Sequence, residues 1–300
     1  MTSHRQRVAI TGSSGLIGGA LSSSLRDRGH DVVRLVRRDP AADDERPWDP
    51  ESGHLDPSAL ADVDTVVHLA GAGVGDHRWT PSYKATIHAS RVDGTDLVSR
   101  VVADGAGPTR LVTASAVGIY GDRGDEVLTE ASASVDTFLA GVVRDWEGAA
   151  APAIEAGVPV AHARTGIVLS TKGGALTPML RMGRLGLGGP LGSGRQWMPW
   201  ITLADTVAAY TRLVEDPTIT GPVNLTAPHP ARQREVARGL GQWLHRPSFL
   251  PAPRPAMYAV LGEFAGEALA SARVLPHRLR RAGFVHAHPR LEDALDHLLG

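Results

Sequence analysis

Cysteine is absent from the 300 residues, which excludes disulfides, thiolate nucleophiles and cysteine-based metal sites. An excess of either charge is missing too. Lys+Arg 31 against Asp+Glu 32 leaves a formal net charge of −1, so nothing electrostatic argues for nucleic acid or an anionic membrane surface. No uninterrupted apolar run of about 18 residues occurs, and the opening MTSHRQR carries no apolar signal-peptide core. A soluble, cytoplasmic protein is the expectation. Thirteen histidines do not make a metal site, because HAH at 286–288 lacks carboxylates or a third ligand at the usual spacing and reads as surface histidine. The length suits one large α/β domain, or a main domain with a smaller partner.

What is present is an alternation of short apolar runs with helical periods. Val8 to Thr11 is a strand, and Leu16 to Arg28 a helix with apolar Leu16, Ala20, Leu21 and Leu25, stopped at Gly29. HDVVRLVRR at 30–38 and VDTVVHLAG at 63–71 read as continuous apolar strands of the kind buried on both faces. The pattern predicts a helix over 81–104, a strand from 109, a helix over 135–155 and a strand from 157. That succession argues for βαβ units in a Rossmann-type, doubly wound parallel sheet. Beyond about 165 the chain becomes rich in Gly and Pro, so the expected division is a Rossmann domain over 1–165 and a smaller, substrate-side C-terminal region over 166–300. GPVNLTAP at 221–228 is a further strand able to return to the first sheet.

VAITGSSGLIGGAL at 8–21 carries the first chemistry. A strand delivers the chain to Gly12, and Gly15 and Gly18 follow at the mouth of a helix. Gly12 permits the tight turn, Gly15 lets a pyrophosphate approach the backbone, and Gly18 lets helix and strand pack closely. Ser13, Ser14, Leu16 and Ile17 complete a turn whose free amides and helix dipole favour phosphate. The end of the second strand selects the cofactor. A site for the NAD ribose would place Asp or Glu there, whereas this chain has Arg37 and Arg38, whose paired donors suit a 2′-phosphate. NADP(H) is therefore the expected cofactor. The alternative is that both arginines are solvated strand-end charges beside Asp39.

With these motifs in place, the chain resembles the extended short-chain dehydrogenase/reductases, the family of sugar-nucleotide epimerases and dehydratases. Gly12, Gly15 and Gly18 have that family's spacing; HLAG at 68–71 is similar to its fourth-strand motif, VTASAVGIYG at 112–121 to the strand with its catalytic Ser, RVDGT at 91–95 to its Asn-x-x-Gly-Thr stretch, and WITLADTVAAY at 200–210 to its later Ile-x-x-x-Asp segment. RW at 78–79, DTFLAGVVRDWE, RTGIVLSTKGGAL, GGPLGSGRQWMPWI and RVLPHRLRRAGF extend the likeness to an atypical epimerase-like subgroup with a C-terminal helical region. The resemblance implies Ser115 as the catalytic Ser, Leu69, Ala70 and Gly71 against the cofactor, Asp49 of WDP near the adenine, and a homodimer through two helices.

The departure from the family is equally informative. Its acid/base is a Tyr with a Lys four residues on, the cation lowering the Tyr pKa. Here the residues four after Tyr83, Tyr120, Tyr210 and Tyr258 are Ile87, Gly124, Val214 and Gly262. Aligned on Glu147, Leu139 and Val143 occupy the two positions, and Arg91 replaces the family Asn. Three readings stay open: an enzyme acting on a small molecule with another proton donor, a non-catalytic NADP(H) sensor, and a scaffold whose Gly turn serves packing alone. For the first, Lys84, His88 and Arg91 share a helix face fit for an anion, and Tyr120 is a nearby hydroxyl donor. A solvated helix face is the competing reading of Lys84 and His88. Trp197, Trp200 and the Gly-rich 183–194 suit either a mobile substrate cover or a packed loop.

Overall fold

A computed structural model describes residues 5–105 and 107–300; the first four residues of the opening MTSHRQR lie outside them. Seven parallel strands form the centre: β1 (Arg7–Thr11), β2 (Asp31–Val36), β3 (Glu45–Pro47), β4 (Thr65–His68), β5 (Arg110–Ala116), β6 (Val160–Thr165) and β7 (Gly221–Leu225). Their order is β7-β6-β5-β4-β1-β2-β3. The direction of winding reverses between β1 and β4, where an open α/β sheet leaves its binding crevice.

The continuous apolar strands follow from burial on both faces. Val8 and Ile10 face one core layer with Val67 and Val112, whereas Ala9 faces the other with Val66 and Leu111. The first layer is closed by α1 (Leu16–Asp27) and by α6 (Leu203–Glu215), which pack on each other. On the opposite side α2 (Pro81–Ala103) packs against α3 (Phe138–Gly148) and α4 (Ala151–Glu155).

Several elements differ from the sequence expectation. The helix expected over 135–155 is two, interrupted at Ala149 and Ala150 just before Pro152, where the missing amide cannot continue the ladder. The strand expected from 157 is also two: β6 ends at Thr165, and Ile167–Leu169 pairs instead with Trp200–Thr202. Gly166 makes the break, since a Cβ there would lie 2.2 Å from the Pro199 carbonyl oxygen. The strand read at 221–228 returns to the sheet's edge as β7, as its sequence allowed, and α6, which the sequence reading did not place, covers the sheet's face. Edge strand β3 went unread, being three residues long and ending in Pro.

Beyond the sheet, α5 (Leu176–Arg184), α7 (Gln233–Trp243) and the helix Leu291–Leu299 enclose a separate core of Leu180, Trp200, Val236, Leu240 and Leu295. Trp200 is thus a core residue. Trp197 is fixed as well, its indole donating to Asp125 and its ring between the guanidiniums of Arg232 and Arg273; neither tryptophan is a mobile cover. His286 is buried and bonded to the Thr226 carbonyl, not a surface histidine. No group of three or more metal-binding side chains occurs among the described residues, and none of their helices is long and apolar enough to cross a membrane.

The glycines of α1 make a matched test of close packing. A Cβ at Gly18 would stand 2.2 Å from the Gly12 carbonyl oxygen, whereas one at Gly19 meets only the Ser13 oxygen at 3.5 Å. Gly18→Ala is expected to lower stability by about 3 kcal/mol or more, because backbone must move. Gly19→Ala should raise it by about 0.5–1 kcal/mol through helix propensity. Urea unfolding midpoints of the two variants check both signs.

Candidate nucleotide crevice and buried proton network

The sequence builds the crevice at the β1/β4 junction from backbone contact. Gly12 takes φ +65°, and a Cβ there would lie 3.0 Å from the Ala70 nitrogen and the Leu69 carbonyl carbon. The turn after β1 is thus pressed on the loop after β4. Thr11 and His68, register partners on the two strands, secure this contact. The Thr11 hydroxyl oxygen accepts from the Leu69 and Ala70 amides at 3.0 and 3.2 Å, so its hydrogen goes to His68 Nδ1 at 2.9 Å. Complete burial drives the His68 pKa down to about 4, which keeps the ring neutral and able to accept that hydrogen.

Gly15 opens α1 without a side-chain cap, and no acidic residue occupies the first turn. Ser14 and Gly15 are exposed and Gly12, Ser13, Leu16 and Ile17 half-buried. The leading amides of α1 therefore face outward with the positive end of the dipole, the arrangement that receives a phosphate. A cradle in which a Cβ at Gly12, Gly15 or Gly18 would meet backbone within 3.2 Å fits a dinucleotide pyrophosphate.

At the end of β2 the two arginines part. Arg38 donates both terminal nitrogens to Glu45, at 2.8 and 2.6 Å. Arg37 is exposed and makes no ion pair or hydrogen bond among the described residues. Asp49 is exposed, but its carboxylate accepts from the Glu51 and Ser52 amides of its own turn.

Across the crevice, β5, β6 and β7 place Ser115, Arg164 and Asn224 in one row. Ser115 is 4% exposed and donates its hydroxyl to Glu147 at 2.6 Å. Arg164 grips both Glu147 oxygens, each at 2.8 Å, and donates a third bond to the Tyr120 hydroxyl at 3.0 Å. Tyr120 in turn donates to Asn224 at 2.8 Å. Burial pushes the Glu147 pKa up, but the Arg164 guanidinium and the Ser115 hydroxyl together hold it below the ordinary value. Tyr120 is a correction to the sequence reading. It is 0% exposed and its proton is committed to Asn224, so its hydroxyl is not open to a substrate.

The α2 face carrying Lys84, His88 and Arg91 turns onto α3. Lys84 pairs with Glu263 at 2.5 Å and lies over the Phe138 ring; His88 bonds Asp145 at 2.9 Å. Arg91 stacks on Trp146 at 5.2 Å, passes beside Gly71 and donates to the Ile87 carbonyl. Leu139 packs beside Gly118, and Val143 is buried. Glu147 and Arg164 were missed as site residues. The readable signal was a charged Arg inside the apolar strand VAHART, which a buried strand tolerates only with a partner.

The profile of the NAD dependent epimerase/dehydratase family matches residues 8–138, and that of a domain of unknown function, DUF1731, residues 252–298. An epimerase family protein of Mycobacterium bovis is 46% identical over 289 residues, 96% of each chain. The chain belongs to the NAD dependent epimerase/dehydratase family. Human epimerase family protein SDR39U1, solved with NADPH, superposes with a TM-score of 0.89 at 32% identity, covering 98% of this chain and 99% of that one. A nucleoside-diphosphate sugar epimerase of Corynebacterium glutamicum is 38% identical with a TM-score of 0.84. The match takes in 99% of this chain but 59% of that longer one.

Two measurements test the site's electrostatics. Glu147→Gln should destabilise the fold by about 3–5 kcal/mol, because Arg164 is left as a buried cation without its carboxylate. The Glu147 contribution is present above the ordinary carboxylate pKa and lost as pH falls through the depressed folded value. His68 acts in the same direction at higher pH. The unfolded chain takes up a proton near 6.5 that the folded ring refuses until about 4, so the His68 contribution to stability declines between those values and then levels. Thermal unfolding of wild type and His68→Asn across pH 7 to 4 reads this slope, which should be shallower in the variant, the remainder coming from His162 and His286, also held down by burial.

Proposed function

We propose that the protein binds NADP(H) at the β1/β4 crevice and acts as an oxidoreductase or epimerase-like enzyme on a small molecule. The observation that carries the reading is the pairing of an uncapped, glycine-cradled α1 terminus with an unengaged Arg37 at the end of β2. Gly12 to Ile17 would hold the pyrophosphate, Leu69, Ala70 and Gly71 the facing wall, and Arg37 the 2′-phosphate. Arg38 is already neutralised by Glu45, which leaves the phosphate to Arg37.

When bound, the cofactor supplies or takes up hydride. The chain's own contribution is the proton. Ser115 gives its hydrogen to Glu147, so its oxygen is presented to a substrate as an acceptor. A substrate hydroxyl brought to Ser115 Oγ passes its proton there as the Ser115 proton moves to the carboxylate; the reverse path protonates a substrate oxygen. Arg164 keeps Glu147 ionised and fixed in position. Ser115 and Glu147 thereby stand in for the absent Tyr and Lys.

A second reading, a protein that binds NADP(H) without turnover, is favoured by the apolar Leu139 and Val143 at those two positions. Parallel titrations with NADPH and NADH, then NADPH oxidation against carbonyl compounds and quinones, separate the two. Arg37→Ala should weaken NADPH by roughly tenfold to a hundredfold, as for loss of a charge-assisted phosphate contact, and leave NADH within twofold. Equal losses for both would remove the 2′-phosphate role.

A further inference from the structure

Two buried arginines have their donors taken up, whereas the half-buried Arg91 keeps most of its own unused. Arg110 delivers its donors to the carbonyls of Leu213, Pro217 and Ile219. Arg164 is held by Glu147 and Tyr120. Arg91 makes a single hydrogen bond, from one terminal nitrogen to Ile87 of its own helix, and has no carboxylate partner among the described residues.

Its surroundings explain how an uncompensated cation is kept there. The alkyl stem and the guanidinium run within 3.5–3.6 Å of the place a Gly71 Cβ would take, and the charge lies over the Trp146 face. A cation–π contact supplies about 0.5–2 kcal/mol, less than a guanidinium loses when most of its hydration is removed. Burial accordingly pushes its pKa down. Gly71 itself is exposed, and it follows directly on the Leu69–Ala70 backbone that touches Gly12. The guanidinium therefore lies beside an open point of the crevice wall through Nη1, which has a second hydrogen beyond the one given to Ile87, and Gly71 is the residue after the pair that touches the nucleotide turn.

We infer that Arg91 is an oxyanion-binding residue, holding a phosphate or carboxylate of the bound ligand beside Gly71. A planar fork with unused donors matches such a group in paired hydrogen bonds. Two sources share this chemistry: the diphosphate of the dinucleotide and an anionic group on the substrate. The placement of the crevice rests on the NADP(H) reading; the unused donors do not.

The test uses the full chain stripped of nucleotide, as wild type and as Arg91→Met, whose side chain preserves packing on Trp146. Dissociation constants for NADPH and NADH are measured, and inorganic phosphate is titrated onto both the NADPH-saturated and the nucleotide-free chain. The expected result is a loss of roughly tenfold or more in one arm. A loss shared by NADPH and NADH assigns the cofactor diphosphate. A loss confined to phosphate on the saturated chain assigns the substrate's anion. Every constant within twofold of wild type overturns the inference.

Wild type failing to bind either dinucleotide would end the NADP(H) reading and leave this one to the nucleotide-free arm. There, phosphate binding that Arg91→Met abolishes upholds it, and no phosphate binding overturns it. Should Arg91→Met not fold, Arg91→Lys keeps the charge without the fork. It is expected to weaken the affected constant roughly threefold or more, and equality with wild type overturns the inference.

Discussion

The guanidinium of Arg164 is the point on which the interior of this protein is organised. It rises from a central strand, takes both oxygens of Glu147 from α3, and reaches Tyr120 in the turn after β5. Tyr120 passes the connection to Asn224 on β7, and Asn224 to the Leu275 carbonyl of the C-terminal region. One cation thus ties the sheet, a covering helix and the second half of the chain. The ion pair is expensive to desolvate, so its geometry must be complete to be tolerated. Two carboxylate bonds and a phenol bond meet that demand.

The same constraint shapes the candidate chemistry. A carboxylate held by a bidentate guanidinium remains ionised, and an ionised Glu147 dictates that Ser115 donates to it. The serine oxygen then has lone pairs to offer on its remaining side. On α3 the apolar Val143 is buried, and positive charge on this side comes from Arg164 of β6 and Arg91 of α2. The sheet that frames them has the order expected of a nucleotide-binding α/β fold.

The C-terminal region packs against α2 and the loop before it. Lys84 of α2 is paired with Glu263, Arg78 donates to the Ala259 and Val260 carbonyls, and Trp79 meets Phe264. These contacts hold the 254–264 segment against the loop that follows β4. The helix Arg254–Leu261 itself buries no residue, so its position depends on such polar and ring contacts more than on a core.

Local pattern by itself determined the parallel sheet and the glycine turn, because both-face burial and tight backbone approach leave short-range signatures; Ser115 and Arg91 were singled out by the family resemblance and Arg37 by its place at the end of the second strand. The continuity of 135–155 and of the strand from 157 was misread, since Pro152 and the Gly166 contact act through one residue inside an otherwise periodic run. Tertiary structure alone decided the partners. Arg38 and Arg37 are adjacent in sequence, yet one faces Glu45 and the other solvent; Tyr120 and Ser115 are five residues apart, yet one hydroxyl is spent in the core. Glu147 and Arg164 meet because β5 and β6 align in register and α3 crosses above them. Charge pairing depends on distances between elements, and no one-dimensional period encodes those.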